Sequence, residues 1–279
     1  NLPLETFDEI LLIKGASQEL LYGEDTYLFG YPDNPENDGD ESEPDDNHNG
    51  RLDAGFYDYV TVYSTEKNVD ADGSARINIT DSTAASSLQT LLEEQFKQER
   101  AIEIIQRSGI SSNPGFENIL DFYYRSQMTA DEFALIADKL TTSSESTLPG
   151  LVNVNTAPKE VLLCLPGLEE SDAASLVSYR QTNSGSLDSI AWVTQVLSQE
   201  KAIGIGSYIT VRSYQYSADI ICLSGNGRAY KRCRVILDTQ EGSPRVVYWR
   251  SLTHFGWPLQ PEIVAALRKG QPLTRVVLS

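Results

Sequence analysis

Hydrophobic residues recur at helical spacing through the middle of the chain and at alternating positions near both ends. Side chains spaced three to four residues apart lie on one face of an α-helix. This spacing predicts helices at 84–107, 114–126, 131–140, 170–181 and 187–197, and one more with Pro158 in its first turn. Shorter helices are expected within 5–21, where Gly15 ends the apolar run, and at 261–269.

Alternation of apolar and polar residues predicts strands, because successive side chains of a strand point to opposite faces. The predicted strands are 57–63, 76–80, 151–155, 207–213, 216–223, 228–238 and 245–250. Asn226-Gly227 is a hairpin signal between two of them, and it predicts that Cys222 stands opposite Lys231. A small strand element, a helical middle and an antiparallel meander, in that order, predict the α+β class.

Charge is distributed unevenly along the chain. The formal net charge is −18, and residues 24–58 contain twelve acids against one base, Arg51. Residues 201–279 hold eleven bases and four acids. The overall charge argues against nucleic acid as the main partner, since phosphate binding needs clustered lysine and arginine. Dense acid without nearby bases favours a bound cation, because the carboxylates otherwise repel one another.

The segment from Asp45 to Asp53 has the spacing of a calcium loop, with oxygen-bearing side chains at alternate positions and Gly50 at the sharp turn. Phe56 stands where an EF-hand has a bidentate glutamate, so a stand-alone calcium loop is expected. We therefore predict Ca²⁺ as the cofactor; the alternative is a solvated acidic turn. The predicted ligands are Asp45, Asn47, Asn49, the Arg51 carbonyl, Asp53 and Asp58.

A poorer copy of this loop precedes it. Its acids and amides are not assigned individually, and they can serve the same ion or another one. The residues concerned are Asp25, Asp33, Asn34, Glu36, Asn37, Asp38 and Asp40.

The Leu165-Pro-Gly167 turn between two predicted helices is similar to a helix-hairpin-helix unit. In nucleic-acid versions, a Gly-x-Gly turn aims N–H groups at phosphate. Here Glu169 replaces the second glycine, and Glu170 and Asp172 add negative charge that would repel phosphate. We interpret the unit as a packing motif.

Few residues are suited to catalysis or to binding a transition metal. The cysteines Cys164, Cys222 and Cys233 lack CxxC spacing, which argues against zinc. Cys222 and Cys233 form either a disulfide across the hairpin or two free thiols. The only histidines are His48 and His254, and no Gly-x-Ser-x-Gly, His-Glu-x-x-His or P-loop sequence occurs. We predict no enzymatic activity; the alternative is a hydrolase with unrecognised carboxylates.

Three segments together resemble the K-type minor pseudopilins of type II secretion (GspK). The first runs from Leu151 to Leu163 (LVNVNTAPKEVLL) and continues through the Leu-Pro-Gly turn to Tyr179-Arg180. The second is Phe7 to Gly15, ahead of the acidic loop, and the third is Ile209 to Ser213, which leads into the meander. The combination is more specific than any one of the segments.

The resemblance implies a pilin-like antiparallel sheet with a large inserted helical domain containing helix-hairpin-helix or SAM-like units. The domain boundaries that follow are a helical segment at 1–22, the acidic calcium-binding loop at 23–58, the inserted domain at 59–200 and the C-terminal sheet at 201–279. Partner surfaces are expected at apolar patches, with Trp249, Phe255 and Trp257 as candidates.

The resemblance also implies a calcium-stabilised structural role at the tip of a type II secretion pseudopilus, in complex with minor pseudopilins of the I and J types. The chain would then be the periplasmic domain of a bacterial inner-membrane protein. A membrane anchor is expected in the full-length protein, outside this sequence. The alternatives are a helix-hairpin-helix protein that binds nucleic acid and a calcium-dependent extracellular binding module.

Overall fold

The chain forms two compact units in the computed structural model, which describes residues 4–32, 34–39, 41, 44–81, 83–112, 115–225 and 227–271. Unit 1 combines the described residues up to Tyr63 with those from Gln215 onward, and unit 2 is Ser64–Tyr214. Unit 2 is therefore an insertion within unit 1. Helices and small sheets occur together, which confirms the α+β class. No helix in the described part of the chain is long and apolar enough to cross a membrane.

These boundaries lie later in the chain than 59 and 201, the boundaries expected from the sequence. Tyr63 belongs with unit 1 because its ring packs 5.5 Å from that of Tyr248 and its hydroxyl donates to the Glu5 carbonyl at 3.2 Å. The stretch after Lys201 belongs with unit 2 because its short strand at Ile209–Thr210 pairs there.

Nine helices are present among the described residues. They are α1 (Gln18–Tyr22), α2 (Ala84–Gln95), α3 (Gln98–Ser108), α4 (Ile119–Ser126), α5 (Ala130–Ile136), α6 (Lys159–Leu163), α7 (Glu170–Thr182), α8 (Gln199–Ile205) and α9 (Pro261–Arg268). Short 3₁₀ segments add to them at Phe7–Leu12, Phe56–Asp58, Ala137–Lys139, Ser184–Ser186, Ile190–Gln195 and Thr253–Phe255.

The strands are short in unit 2 and long in unit 1. They are β1 (Thr65–Lys67), β2 (Ile77–Asn78), β3 (Leu140–Thr141), β4 (Thr147–Pro149), β5 (Val152–Asn153), β6 (Ile209–Thr210), β7 (Gln215–Leu223), β8 (Tyr230–Asp238) and β9 (Arg245–Ser251). β1 pairs antiparallel with β4, while β2 pairs parallel with β3 and β5 parallel with β6. β7, β8 and β9 form an antiparallel sheet in which Cys222 stands opposite Lys231, as the hairpin signal predicted.

The long helix predicted at 84–107 is two helices. Phe96 and Lys97 adopt extended backbone angles between α2 and α3. One straight helix over this range would be about 36 Å long and would extend beyond a small core. The break allows Leu92 of α2 and Ala101 of α3 to be buried in the same core.

The strand predicted at 57–63 was wrong. Residues 56–58 form a 3₁₀ turn, and the alternating aromatic residues pack individually against unit 1. The Tyr57 ring lies 5.7 Å from Phe7 and 5.2 Å from Tyr22. Packing between aromatic rings, rather than pairing in a β-sheet, explains why aromatic residues alternate with polar ones in this segment. The predicted helix at 187–197 is likewise only the 3₁₀ segment Ile190–Gln195.

Unit 2 is closed by the buried carboxylate of Glu66, which links its first strand to its last. Glu66 is 4% exposed. Its Oε2 accepts from the Thr210 hydroxyl at 2.7 Å, and its Oε1 accepts from Arg76 Nη2, also at 2.7 Å. Arg76 in turn reaches Asp138, whose other oxygen is paired with Arg212. The two ends of the insertion are therefore held together by one charge network.

Replacing Glu66 by alanine should destabilise unit 2 by about 3 kcal/mol, because it removes a buried charged acceptor of two hydrogen bonds, from Arg76 and from the Thr210 hydroxyl. Urea unfolding, with hydrogen exchange of the peptides that contain β1 and β6, measures the effect. Glu94→Ala, at an exposed position of α2, is the control and should change stability by less than about 0.5 kcal/mol. Equal stability of the two variants would contradict this role of Glu66.

The α3–α5 contact should weaken at acid pH. Hydrogen bonds from Arg100, at 2.9 and 2.8 Å, lower the pKa of Glu132 to about 2. Because the folded pKa is depressed, the stabilisation is complete above the unfolded pKa of about 4.3 and is lost as pH falls towards 2. Glu132→Gln should therefore cost about 1 kcal/mol at pH 7, a value that allows for partial solvent screening.

The stability difference between wild type and Glu132→Gln should narrow in urea melts as the pH is lowered from 7 to 3.5. Glu200→Gln, at an exposed position of α8, provides the matched control with a small difference at every pH. A Glu132→Gln difference that does not depend on pH would show that the Glu132 charge is not what stabilises the contact.

Candidate functional site

The acidic segment of unit 1 packs against a basic face of the β7–β8–β9 sheet. Arg234 stands between Asp219 and Arg250 across the three strands, so their side chains share one face. Arg250 pairs with Asp8 at 2.7 Å, and the Arg234 guanidinium stacks 4.5 Å from the centre of the Tyr57 ring. The N-terminal part of unit 1 is therefore held on the sheet by arginines from the other end of the chain, through a carboxylate and an aromatic ring.

The predicted calcium loop has the backbone geometry that alternate oxygen side chains favour. Asn47 Oδ1 accepts from the Asn49 N–H at 2.9 Å, and Asn49 Oδ1 accepts from the Arg51 N–H at 2.7 Å. His48 and Gly50 have left-handed backbone angles, with φ of 52° and 76°. Two successive Asx turns therefore curl the loop, and Gly50 lies at the sharp turn as predicted.

Glu24 closes this loop from outside it. The Glu24 carboxylate accepts from the N–H of Asp53 at 2.8 Å and from the N–H of Asn47 at 3.3 Å, and the Glu24 N–H donates to the Asp53 carbonyl at 3.0 Å. Glu24 is only 8% exposed. This buried carboxylate is hydrogen-bonded to both ends of the loop, and it fixes the loop against the segment that begins at Glu24.

A small cavity of about 10 Å³ lies between these two segments. This is close to the volume that one water molecule or ion needs. Oxygen-bearing side chains line much of its wall: Glu24, Asn34, Asn37, Asp46 and Asn49. Glu24 and Asp46 were not among the ligands predicted from sequence, because neither lies at an alternate position of the loop.

The structure brings together some of the predicted ligands. Asn49 and Arg51 line the cavity, while Asn47 and Asp53 bond to each other, Nδ2 to Oδ2, at 3.0 Å. Asp45 is exposed, and Asp58 lies in the 3₁₀ turn at 56–58. Within the described residues, no three Asp, Glu, His or Cys side chains form a metal-sized group. Asp33 and Asp40 of the poorer copy lie outside the described residues.

Other members of the poorer copy have structural partners. The two carboxylate oxygens of Asp25 accept from the N–H groups of Phe29 and Gly30 at 2.6 and 2.7 Å, and burial raises its pKa. Burial also raises the pKa of Glu36, whose carboxylate accepts from the Thr26 hydroxyl. These two acids thus shape the turn at 24–36.

The chemistry of the loop fits a hard cation. Its donors are carboxylate, amide and carbonyl oxygens, which suit calcium rather than zinc. Glu24 is buried, and its two hydrogen bonds come from neutral backbone N–H groups. A cation beside it would offset the cost of burying that charge. Glu24, Asp46 and Asn49, which line the cavity, are the groups that would hold one, with the Arg51 carbonyl as the backbone ligand expected from the sequence.

A cleft of about 330 Å³ lies in unit 2. Its lining includes the Glu66 network, so the acids Glu66 and Asp138 are each paired with an arginine there. General acid–base catalysis needs a carboxylate that is able to exchange a proton with a substrate. These two acids are engaged in holding the strands together.

The segment whose sequence resembles a helix-hairpin-helix unit spans α6 and α7, and its charges are paired within unit 2. Lys159 pairs with Glu170, and Lys201 pairs with Asp172. Arg180, at the end of α7, donates to the Val154 carbonyl at 2.9 Å. The basic side chains nearest the hairpin are thus occupied by acids or backbone, which favours the packing interpretation over phosphate binding.

The asparagines of the Asn-Val-Asn segment also hold unit 2 together. Asn155 Nδ2 donates to the Leu187 carbonyl at 2.9 Å, and Asn155 Oδ1 accepts from the indole of Trp192 at 3.0 Å. The Trp192 ring is stacked on Tyr179, with centroids 5.4 Å apart and planes 3° apart. The segment that resembles the K-type pseudopilins therefore contributes Asn155, Tyr179 and Arg180 to one set of structural contacts, which we call the Asn155 clamp.

The three cysteines are free thiols. Cys222 stands opposite Lys231, and Cys233 stands opposite Ile220, so the two cysteines are diagonal neighbours on one face. Diagonal positions in an antiparallel pair lie about 7–8 Å apart, beyond the usual reach of a disulfide. Of the two alternatives left open by the sequence, the structure has the free thiols.

The face of the β7–β8–β9 sheet opposite the arginines is apolar and open. Val246 and Trp249 on β9 are 56% and 61% exposed, and Ile220 on β7 is also exposed. The other two aromatic candidates pack within unit 1, with Phe255 5.6 Å from the Tyr27 ring and Trp257 4.2 Å from the Tyr230 ring. Trp249 is thus the candidate that remains on a free surface.

Comparison with protein families matches a region of unit 2. No curated protein and no solved structure is significantly similar to the chain. The match covers β5 to just beyond β6, the part of unit 2 that holds the Asn155 clamp and the hairpin. Residues 152–212, less than half of the chain, match the family described as type II secretion system protein K, which supports a role in type II secretion.

Proposed function

We propose that the chain is a minor pseudopilin of the K type, a non-enzymatic assembly subunit of the type II secretion pseudopilus. The family match at residues 152–212 carries this proposal. It falls on residues whose polar side chains form a structural clamp rather than an exposed reactive site. Assembly, rather than catalysis, is the activity that such a region supports.

The architecture of the chain supports the proposal. Unit 2 is a mostly helical insertion, and unit 1 consists of segments from both sides of it around a three-stranded antiparallel sheet. This arrangement is what a pilin-like sheet with an inserted helical domain would have. A bulky insertion would sterically hinder the addition of a further subunit above it, which suits a position at the tip of the pseudopilus.

The open apolar face of the sheet supports a partner made of protein. Exposed apolar patches on soluble domains mark interaction surfaces, and this one centres on Val246 and Trp249. Minor pseudopilins of the I and J types are the proposed partners, in the periplasm.

Calcium is the proposed ligand of the loop at 45–53, held by Glu24, Asp46, Asn49 and the Arg51 carbonyl. Bound calcium supplies positive charge and draws oxygen ligands together. Its role in the chain would be structural, because it ties the loop to the segment starting at Glu24.

Saturating calcium should raise the melting temperature by about 5 °C relative to excess chelator, since a ligand at about 100 times its Kd adds about 2.7 kcal/mol. Asn49→Ala should reduce this shift because it removes a cavity-lining oxygen. Asp188→Ala, at an exposed acid of unit 2, should retain the full shift. Identical melting curves in calcium and chelator would refute the calcium site.

The assembly role predicts selective association. The purified chain should retain purified I- and J-type minor pseudopilins in a pull-down, and Trp249→Arg should weaken that retention at least tenfold by placing a charge in an apolar contact. Leu135→Arg changes a similarly exposed apolar residue on α5, and this variant should retain the minor pseudopilins as well as the wild type does. Retention of a DNA probe at low salt without pseudopilin binding would favour the nucleic-acid alternative.

A further inference from the structure

Arg232, on the central strand β8, is the most deeply buried charged side chain described in unit 1. It is 3% exposed. Its Nη1 donates to the Tyr27 carbonyl at 3.0 Å, and its Nη2 donates to the Leu28 carbonyl. Its Nε has no acceptor among the described residues. The nearest carboxylate oxygen in the described part of the chain, that of Asp219, is 3.9 Å away.

Burying a guanidinium with so few partners costs desolvation free energy. Stability alone therefore does not explain why an arginine stands at this position. The two carbonyls that it holds belong to the segment Glu24–Tyr31, which we call the docking segment. Leu28 has a left-handed backbone, with φ of 55°, which is strained for a leucine. The contact with Arg232 therefore adds to the hydrogen bonds of Asp25 and Glu36 that hold the docking segment in this conformation.

The other end of the docking segment is fixed to the calcium loop. Glu24 begins the segment, and its carboxylate bridges the N–H groups of Asn47 and Asp53. Tyr27, held by Arg232, follows three residues later. The docking segment is thus held at Glu24 by the loop, and at Tyr27 and Leu28 by the central strand of the sheet.

We propose that Arg232 is a positioning residue for calcium: by anchoring the docking segment it holds Glu24 where the loop needs it, although it cannot itself coordinate a cation. This inference rests on the proposed calcium site. Ordering a flexible segment costs conformational entropy of about 1 kcal/mol or more per residue. A segment already anchored on the sheet does not incur that cost when the ion binds. By linkage, calcium binding must strengthen the contact with Arg232 to the same extent.

Calcium titration calorimetry on the whole chain tests the proposal. Arg232→Met, which preserves the apolar stem and removes the donors, should raise the Kd for calcium at least tenfold. Arg234→Met is the matched control: it removes the same charge from the same strand, but Arg234 contacts Asp219 and Tyr57 instead of the docking segment. Its Kd should stay within about twofold of wild type.

Hydrogen exchange of the wild-type chain gives a second readout that does not depend on how well the variant folds. Calcium should slow exchange in the docking segment and in β8 as well as in the loop. Equal calcium affinity of Arg232→Met and wild type, equal weakening by both variants, or slowing confined to the loop would each overturn the role of Arg232. Absence of calcium binding by the wild type would instead refute the calcium site itself, and this inference with it.

Discussion

Packing of the acidic segment against the sheet depends on arginines of the sheet, and the buried guanidinium of Arg232, which binds two backbone carbonyls of that segment, is its most constrained point. Arg232 is inside unit 1 because β8 is the middle strand, covered on one face by the segment that contains Tyr27 and Leu28. Arg250 and Arg234 meet Asp8 and Tyr57 nearer the surface. The basic C-terminal part of the chain therefore supplies arginines that contact the N-terminal part through a carboxylate, an aromatic ring and two backbone carbonyls.

Unit 2 is held together by a buried carboxylate, that of Glu66, rather than by a buried guanidinium. A domain inserted between two neighbouring parts of a fold needs its ends close together, and Glu66 joins the first strand to Thr210 on the last. Because the carboxylate is buried, separating the ends would remove the Thr210 hydroxyl that hydrogen-bonds one of its oxygens. The clamp around Asn155 then fixes the helices of the matched region against β5. Such a closed unit is suited to serve as a rigid part of an assembly.

Local signals allowed much of the fold to be predicted from sequence. The hairpin signal fixed the β7–β8 register, and Thr129 with Glu132 form the capping box that begins α5. Gly50 turns the loop because its position requires a left-handed backbone. Local pattern failed at 57–63, where aromatic residues alternate for reasons of tertiary packing.

The parts of the candidate site that could not be predicted depend on distant residues. Glu24 reaches Asp53 across 29 positions, and Arg232 reaches Leu28 across 204. No periodicity or spacing connects such pairs. A spacing rule based on calcium loops selects alternate loop positions, so it could not identify a carboxylate that closes the loop from outside.

A crystal structure of the whole chain grown with calcium tests the central claim most directly, since it shows the ion and the packing of the acidic segment in one experiment. The account predicts a cation between Glu24 and Asn49, with the Tyr27 and Leu28 carbonyls on Arg232. An ordered loop without an ion, or an acidic segment detached from β8, would contradict it.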